Sequence, residues 1–210
     1  MNKELVIVFV KNAIPGKVKT RLAKTIGNQA AFKVYKELIK ITEKTLENLT
    51  TADVRIYFSD FIVNSEWTNY HKHTQKGENL GDRMENAFND GFNNGYNRIV
   101  LIGSDLPDIT AKHIESGLSL LNKYDTVFGP AIDGGYYLIG MRNMHKMAFK
   151  NKPWSQPNLL SKTLNQLTKN NITFSTLDTL NDIDTFEDLK NSNFYKSNKV
   201  LQEKIKNSHD

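Results

Sequence analysis

Leu5-Val6-Ile7-Val8-Phe9-Val10 is an unbroken apolar run that stops at Lys11-Asn12 and the Pro15-Gly16 turn signal. A run of that kind predicts a strand covered on both faces, as in a parallel sheet. From residue 29 to 49 the pattern changes to Ala30, Val34, Leu38, Ile41, Thr45 and Leu49, which is the spacing of a helix face. Asp53–Phe58 and Arg98–Ile102 predict two further strands, and Thr110 stands where it would cap a helix carrying Ile114, Leu118 and Leu121. Thr126–Phe128 and Tyr136–Met141 predict a strand pair joined by the glycine-rich turn Pro130–Gly135. That connection is too short for a parallel crossover, so the pair is expected to be antiparallel. A helix over Leu159–Leu167, a strand over Ile172–Leu177 and a short helix from Asp184 or Thr185 through Leu189 follow. Strands alternating with helices predict a layered α/β domain with a largely parallel sheet.

The length of 210 residues suits a single domain with its own core. Residues 1–110 read mainly as its first half, 111–195 as its second and Lys196–Asp210 as a terminal helix or tail. The chain has no cysteine, which excludes disulfides, thiolate zinc sites, iron–sulfur ligation and cysteine nucleophiles. Leu5–Val10 is too short to span a bilayer and its flanks do not read as a signal peptide, so the expectation is a soluble cytoplasmic protein without a membrane span. The net charge is +5, but its placement matters more. Residues 1–50 hold ten basic and four acidic side chains, while the other 160 hold eighteen and nineteen. A local excess suits a small polyanion better than nucleic acid, which calls for a broad basic face.

In open α/β sheets, ligands bind beyond the carboxyl ends of the strands. After the first strand lies Lys11-Asn12-Ala13-Ile14-Pro15-Gly16-Lys17-Val18-Lys19-Thr20-Arg21, a basic loop leading into a helix. Backbone amides at a helix start, together with cations, make a phosphate cradle. Taken alone, a solvated surface loop is the more economical reading, and the ATPase P-loop spacing is absent. After the strand ending at Ile102 comes Gly103-Ser104-Asp105-Leu106-Pro107, where a carboxylate could share Mg²⁺ with substrate phosphates or simply cap a turn. Asn181-Asp182-Ile183-Asp184-Thr185-Phe186-Glu187-Asp188 follows another strand; some of its acids are expected to cap a helix and one to face a metal. Asp133-Gly134-Gly135-Tyr136-Tyr137 lets backbone approach a ligand, though it would serve equally as a bare hairpin. Gln75–Met84, with Gly77, Gly81 and Arg83 opening a helix, is a weaker site of the same kind. The five histidines show no metal-ligand spacing, and His71-x-His73 reads as surface. No G-x-S-x-G elbow appears, and no G-x-G-x-x-G follows the first strand, so serine hydrolases and dinucleotide-binding enzymes drop out.

The order of these motifs resembles the GT-A-like nucleotide-diphospho-sugar transferase superfamily, and within it the bacterial selenodomain-associated transferase 1 group. The resemblance runs through Phe9–Leu22, Gly77–Phe88, Leu101–Pro107, Gly129–Met141, Trp154-Ser155 and Leu180–Leu189. It implies a three-layer α/β/α domain whose mixed, mostly parallel sheet holds a nucleotide over its first half. By the same resemblance Lys19 and Arg21, with Thr20 and Lys11, would meet the phosphates. Asp105 and Asp182 would hold Mg²⁺ or Mn²⁺, two metals that accept the same oxygen ligands. Gly81 and Arg83 would approach the nucleotide from the other side. Asp133, Gly134, Gly135, Tyr136 and Trp154 would form the acceptor half of the cleft. A general base is open between Asp133 and Asp82, with Asp133 preferred. The implied partners are a nucleotide sugar and a small-molecule acceptor. Sugar-transferring members often carry D-x-D, however, whereas this chain has Asp105-Leu106-Pro107. Its Lys-Thr-Arg loop is similar to that of nucleotidyltransferases, including those acting on phospholactate or molybdenum cofactor, which keeps nucleotidyl transfer from a nucleoside triphosphate as the alternative. A non-catalytic nucleotide or RNA binder is the third reading.

Overall fold

The computed structural model of the chain describes residues 3–206. In chain order its elements are β1 (Glu4–Val10), α1 (Thr20–Ile26), α2 (Asn28–Glu47), β2 (Asp53–Phe58), β3 (His71–Thr74), α3 (Leu80–Asn93), β4 (Arg98–Gly103) and α4 (Ala111–Leu120). Then come β5 (Thr126–Pro130), β6 (Tyr136–Met141), α5 (Leu159–Lys169), β7 (Phe174–Thr176), α6 (Phe186–Asn191), α7 (Asn193–Lys196) and α8 (Lys199–Lys206). The strands form one sheet in the order β3-β2-β1-β4-β6-β5-β7. β2 and β4 lie parallel to β1 on either side, whereas β6 is antiparallel to both of its neighbours. The expected mixed, mostly parallel sheet is therefore present, with the β5–β6 hairpin antiparallel as its short turn requires.

Side-chain alternation in β1 explains the layering. Val6, Val8 and Val10 point into one buried cluster with Tyr35 and Ile39 of α2 and Ile114 and Leu118 of α4. Leu5 and Ile7 enter the opposite cluster with Met84 and Phe88 of α3 and Leu167 of α5. Because both faces are covered, the strand reads as continuously apolar. A third cluster packs α1 and α2 against α6 and α8 through Leu22, Leu38, Ile183, Leu189 and Leu201. It brings the acidic segment near residue 184 to the basic loop near residue 20. Among the described residues no helix is long and apolar enough to cross a membrane.

Two elements differ from the sequence expectation. His71-Lys72-His73-Thr74 forms β3, an edge strand parallel to β2, with His73 stacked on Tyr57 at 4.8 Å. An edge strand needs backbone pairing on one side only, so it carries no apolar run that would betray it. The strand expected over Ile172–Leu177 shrinks to β7 because Ile172 donates its backbone N–H to Leu167 at the end of α5, just after Asn171 turns at φ 57°. The terminal stretch is helical as α7 and α8, while residues 207–210 lie outside the described residues.

Candidate functional site

The strand order reverses at β1, which sits between β2 and β4, and the loops leaving β1 and β4 border the crevice that this reversal opens. The β1 loop is held by Tyr35 of α2. Its hydroxyl accepts the Lys11 N–H at 3.0 Å, donates to the Lys11 carbonyl at 3.1 Å and lies 3.3 Å from Ser104 Oγ in the β4 loop. Burial pushes the Tyr35 phenol up from its ordinary range, so it stays a neutral clamp between the two loops. Lys19 ends the β1 loop with φ 49°, a left-handed conformation that a non-glycine residue rarely adopts. Its Nζ lies 2.9 Å from Asp105 Oδ2 across the crevice. The lysine side chain is 4% exposed and the aspartate 32%. Burial alone would raise the Asp105 carboxyl, but the charge and hydrogen bond of Lys19, with Lys11 behind it, hold it below the usual carboxylate range.

Asp182 behaves in the opposite sense. Burial, then the negative charges of Asp105, Asp133 and Asp184, push its carboxyl up to about 6 against the pull of Lys19. Asp105 is thus an ion-paired carboxylate, whereas Asp182 beside it is penalised for its charge, first by burial and then by its acidic neighbours. Among the described residues no three His, Asp or Glu side chains are grouped so as to hold a metal ion. Within the acidic segment the capping expectation holds for Asp188. Asp188 accepts from the Thr185 backbone N–H at 2.7 Å and closes the α6 cap, while Asp184 pairs with Arg21 at 2.7 Å.

Two cavities meet along this line. One, of about 320 Å³, is lined by Lys11, Lys17, Lys19, Thr20, Arg21, Tyr35, Asp105, Asp133, Ser155 and Asp184, almost wholly by polar atoms. The other, of about 230 Å³, is lined by Asp105, Asp133, Asp182, Gly135, Tyr136, Ser155 and Gln156, with Leu80, Leu106, Trp154 and Leu159 as an apolar wall. Asp105, Asp133 and Ser155 belong to both. The β5–β6 turn is fixed over them. Gly134 has φ +85°, and a Cβ there would lie 1.9 Å from the Pro157 carbonyl oxygen, so the turn and the segment carrying Trp154 and Ser155 interlock only through a glycine. Ser155 itself has φ 61°. Strain at Lys19 and Ser155, in the walls of one crevice, marks this region more sharply than volume does. A larger groove of about 810 Å³ between α2 and α7–α8 holds none of the strand-end residues of the crevice.

Most residues singled out from sequence come together here: Lys11, Lys19, Thr20, Arg21, Asp105, Asp133, Gly135, Tyr136, Trp154 and Asp182. Gly81 and Arg83 do not. Gly81 is buried under Trp154 and the Phe149 carbonyl, where a Cβ would come within 2.5 Å, and Arg83 bonds back to the Gly77 carbonyl at 3.2 Å. Gly81 supports the Trp154 segment, Arg83 braces the loop before α3, and neither lines the cavity wall. Asp82 is tied to Lys150 at 2.9 Å and lines neither cavity, which leaves Asp133 as the candidate base. The sequence reading missed Tyr35, whose position beside Val34 looked like ordinary core. The signal was available, because a buried phenol hydroxyl needs a partner.

Residues 43–156 match DUF2064, a family described as an uncharacterized protein conserved in bacteria. The chain belongs to this family. The DUF2064 chain also resembles a crystal structure from Desulfovibrio desulfuricans G20 that bears the provisional name nucleotide-diphospho-sugar transferase. The two are 30% identical, with a TM-score of 0.85 over 98% of this chain and 99% of that one. It is 26% identical over 179 residues to the 2-phospho-L-lactate guanylyltransferase of Methanocaldococcus jannaschii, covering 82% of this chain and 75% of the relative. The inositol-1-phosphate CTP transferase of T. maritima shares the fold at 16% identity, with a TM-score of 0.57 over 98% of this chain and 97% of that one. The likeness to the D. desulfuricans structure shows the nucleotide-diphospho-sugar transferase-like fold that the motifs led one to expect; the narrower selenodomain-associated group stays an expectation from the motifs. The chain has the fold and the kinship of nucleotide-using transferases.

Proposed function

We propose that the chain transfers a glycosyl group from a nucleotide sugar to a hydroxyl acceptor. One observation carries this reading: Asp133 stands in the wall shared by a cation-lined cavity and a second cavity without a cation. The first suits the diphosphate of the donor, with Lys11, Lys17, Lys19, Thr20 and Arg21 around its oxygens. The second suits the acceptor, bounded by Tyr136 and Trp154 and floored by the Gly134-Gly135 turn. The acceptor oxygen attacks the anomeric carbon as the bond from that carbon to the β-phosphate oxygen breaks. The electron pair leaves with the nucleoside diphosphate, and the acceptor proton passes to Asp133. Asp105 and Asp182 both line the second cavity and offer the carboxylate oxygens that a divalent Mg²⁺ or Mn²⁺ takes. Bound there, such an ion would stabilise the negative charge growing on the leaving diphosphate. Lys19 and Arg21 serve the same charge from the protein side.

Nucleotidyl transfer is the second reading, favoured by the M. jannaschii relative and the Lys-Thr-Arg loop. There the acceptor attacks the α-phosphorus and pyrophosphate departs. Thermal stabilisation by a panel of nucleoside triphosphates and nucleotide sugars, with and without Mg²⁺ or Mn²⁺, separates the two. Metal-dependent stabilisation by one nucleotide sugar beyond its parent triphosphate is the expected result. A preference for a triphosphate transfers the assignment to nucleotidyl transfer, and a flat panel removes both.

A further inference from the structure

Resting on this transferase reading, we infer that the acceptor is an alcohol with an apolar body and no negative charge. The 230 Å³ cavity presents Asp105, Asp133 and Asp182, and no lysine, arginine or histidine lines it. The nearby cations are turned elsewhere. Lys11, Lys17 and Arg21 line the other cavity, as does Lys19, whose ammonium is taken up by Asp105 at 2.9 Å, and Arg83 bonds to the Gly77 carbonyl. Lys150 pairs with Asp82 and Glu85, and Lys152 bonds Gln166 Oε1 at 2.6 Å. Lys19 is paired with Asp105, whereas Asp133 has no salt-bridge partner among the described residues and accepts the Gly135 N–H, so it is Asp133 that presents negative charge to the acceptor. A phosphate or carboxylate on the acceptor would face the Asp133 charge with no cation in the lining to offset it, which disfavours it by repulsion and not merely by lack of attraction. What remains suits hydroxyls: the Ser155 and Gln156 side chains and the Asp133 carboxylate as polar partners, against Leu80, Leu106, Trp154 and Leu159. In this respect the chain departs from the relatives named for 2-phospho-L-lactate, a phosphorylated compound.

Trp154 reports on the cavity directly. The chain has two tryptophans, and Trp67 is 1% exposed in the core. The experiment titrates the wild-type protein, its cation-lined cavity filled by Mg²⁺-pyrophosphate, with cyclohexylmethanol and with cyclohexylmethyl phosphate while following tryptophan fluorescence. The alcohol is expected to perturb the emission at a concentration at least about tenfold lower than the ester, a gap of about 1.4 kcal/mol. In Gln156→Arg, which places a cation on an exposed position of the wall, the gap should close or invert. Equal or tighter binding of the ester by the wild type overturns the inference, as does silence of Trp154 toward the alcohol. The nucleotide panel fails separately. A flat panel with alcohol binding intact removes the transferase reading alone, whereas metal-dependent nucleotide binding with a preferred ester removes the acceptor inference alone.

Discussion

Asp182→Asn should make the metal-free protein more stable while disabling it. In the fold the Asp182 carboxyl rises from an ordinary 3.8 to about 6, first through burial and then through Asp105, Asp133 and Asp184. An acid whose pKa is raised by folding costs nothing below its unfolded value. Its penalty grows as the pH climbs from about 4 to about 6 and is complete above that. The rise sets a ceiling of about 3 kcal/mol on the penalty. Asp182 is only partly buried, so solvent screening reduces this to about 1–2 kcal/mol. Asparagine keeps the shape and removes the charge. Urea denaturation with a chelator present should therefore show the variant about 1–2 kcal/mol more stable than wild type at pH 8, equivalent to several degrees in Tm for a chain of this size. The difference should vanish near pH 4. Mg²⁺ or Mn²⁺ should stabilise the wild type and leave the variant almost unchanged, because binding raises stability only where the site exists. An Asp182→Asn protein no more stable at pH 8 than at pH 4, relative to wild type, would refute the claim that the fold penalises the ionised Asp182 carboxyl.

Three further substitutions probe the rest of the crevice. Lys19→Ala leaves Asp105 without its ammonium; it should cost about 1–3 kcal/mol, less than a fully buried pair because Asp105 is 32% exposed, and carboxyl-carbon NMR should show the Asp105 titration moving upward. Gly134→Ala forces a Cβ to 1.9 Å from the Pro157 carbonyl at φ +85°; a loss of about 2 kcal/mol or more in denaturant melts should accompany a shift in Trp154 emission. Asp133→Asn should lower kcat by about 10²–10⁴-fold with nucleotide-induced stabilisation unchanged, and activity retained within threefold would remove Asp133 as the base.

The chain made its layers legible because burial on both faces writes a signal into the sequence. Leu5–Val10 fitted a strand buried on both faces, and the short connection between Thr126–Phe128 and Tyr136–Met141 dictated that those two run antiparallel. β3 was illegible for the converse reason. An edge strand paired with β2 alone needs no apolar residues, and His71-Lys72-His73-Thr74 has none to show.

The site was legible through position more than through motif. The charged or glycine-paired segments after β1, β4, β5 and β7 ended at the crevice, because the reversal of strand order at β1 gathers carboxyl ends there. The failures share one cause. Gly81 and Arg83 sit at the start of α3, and a helix start rich in glycine and charge looks the same whether it faces a ligand or supports the loop that does. The close approach of Phe149 and Trp154 to Gly81 decides for support. Tyr35 and Asp184 were hidden differently, since each has a sufficient local explanation as core aromatic or helix cap. Only the third cluster, which docks α6 on α1 and α2, brings Asp184 to Arg21 and makes the acidic tail part of the same wall as the basic loop. Charge complementarity between residues 163 positions apart is a tertiary fact, and it sets Arg21 and Asp184 side by side in the lining of the cation-lined cavity.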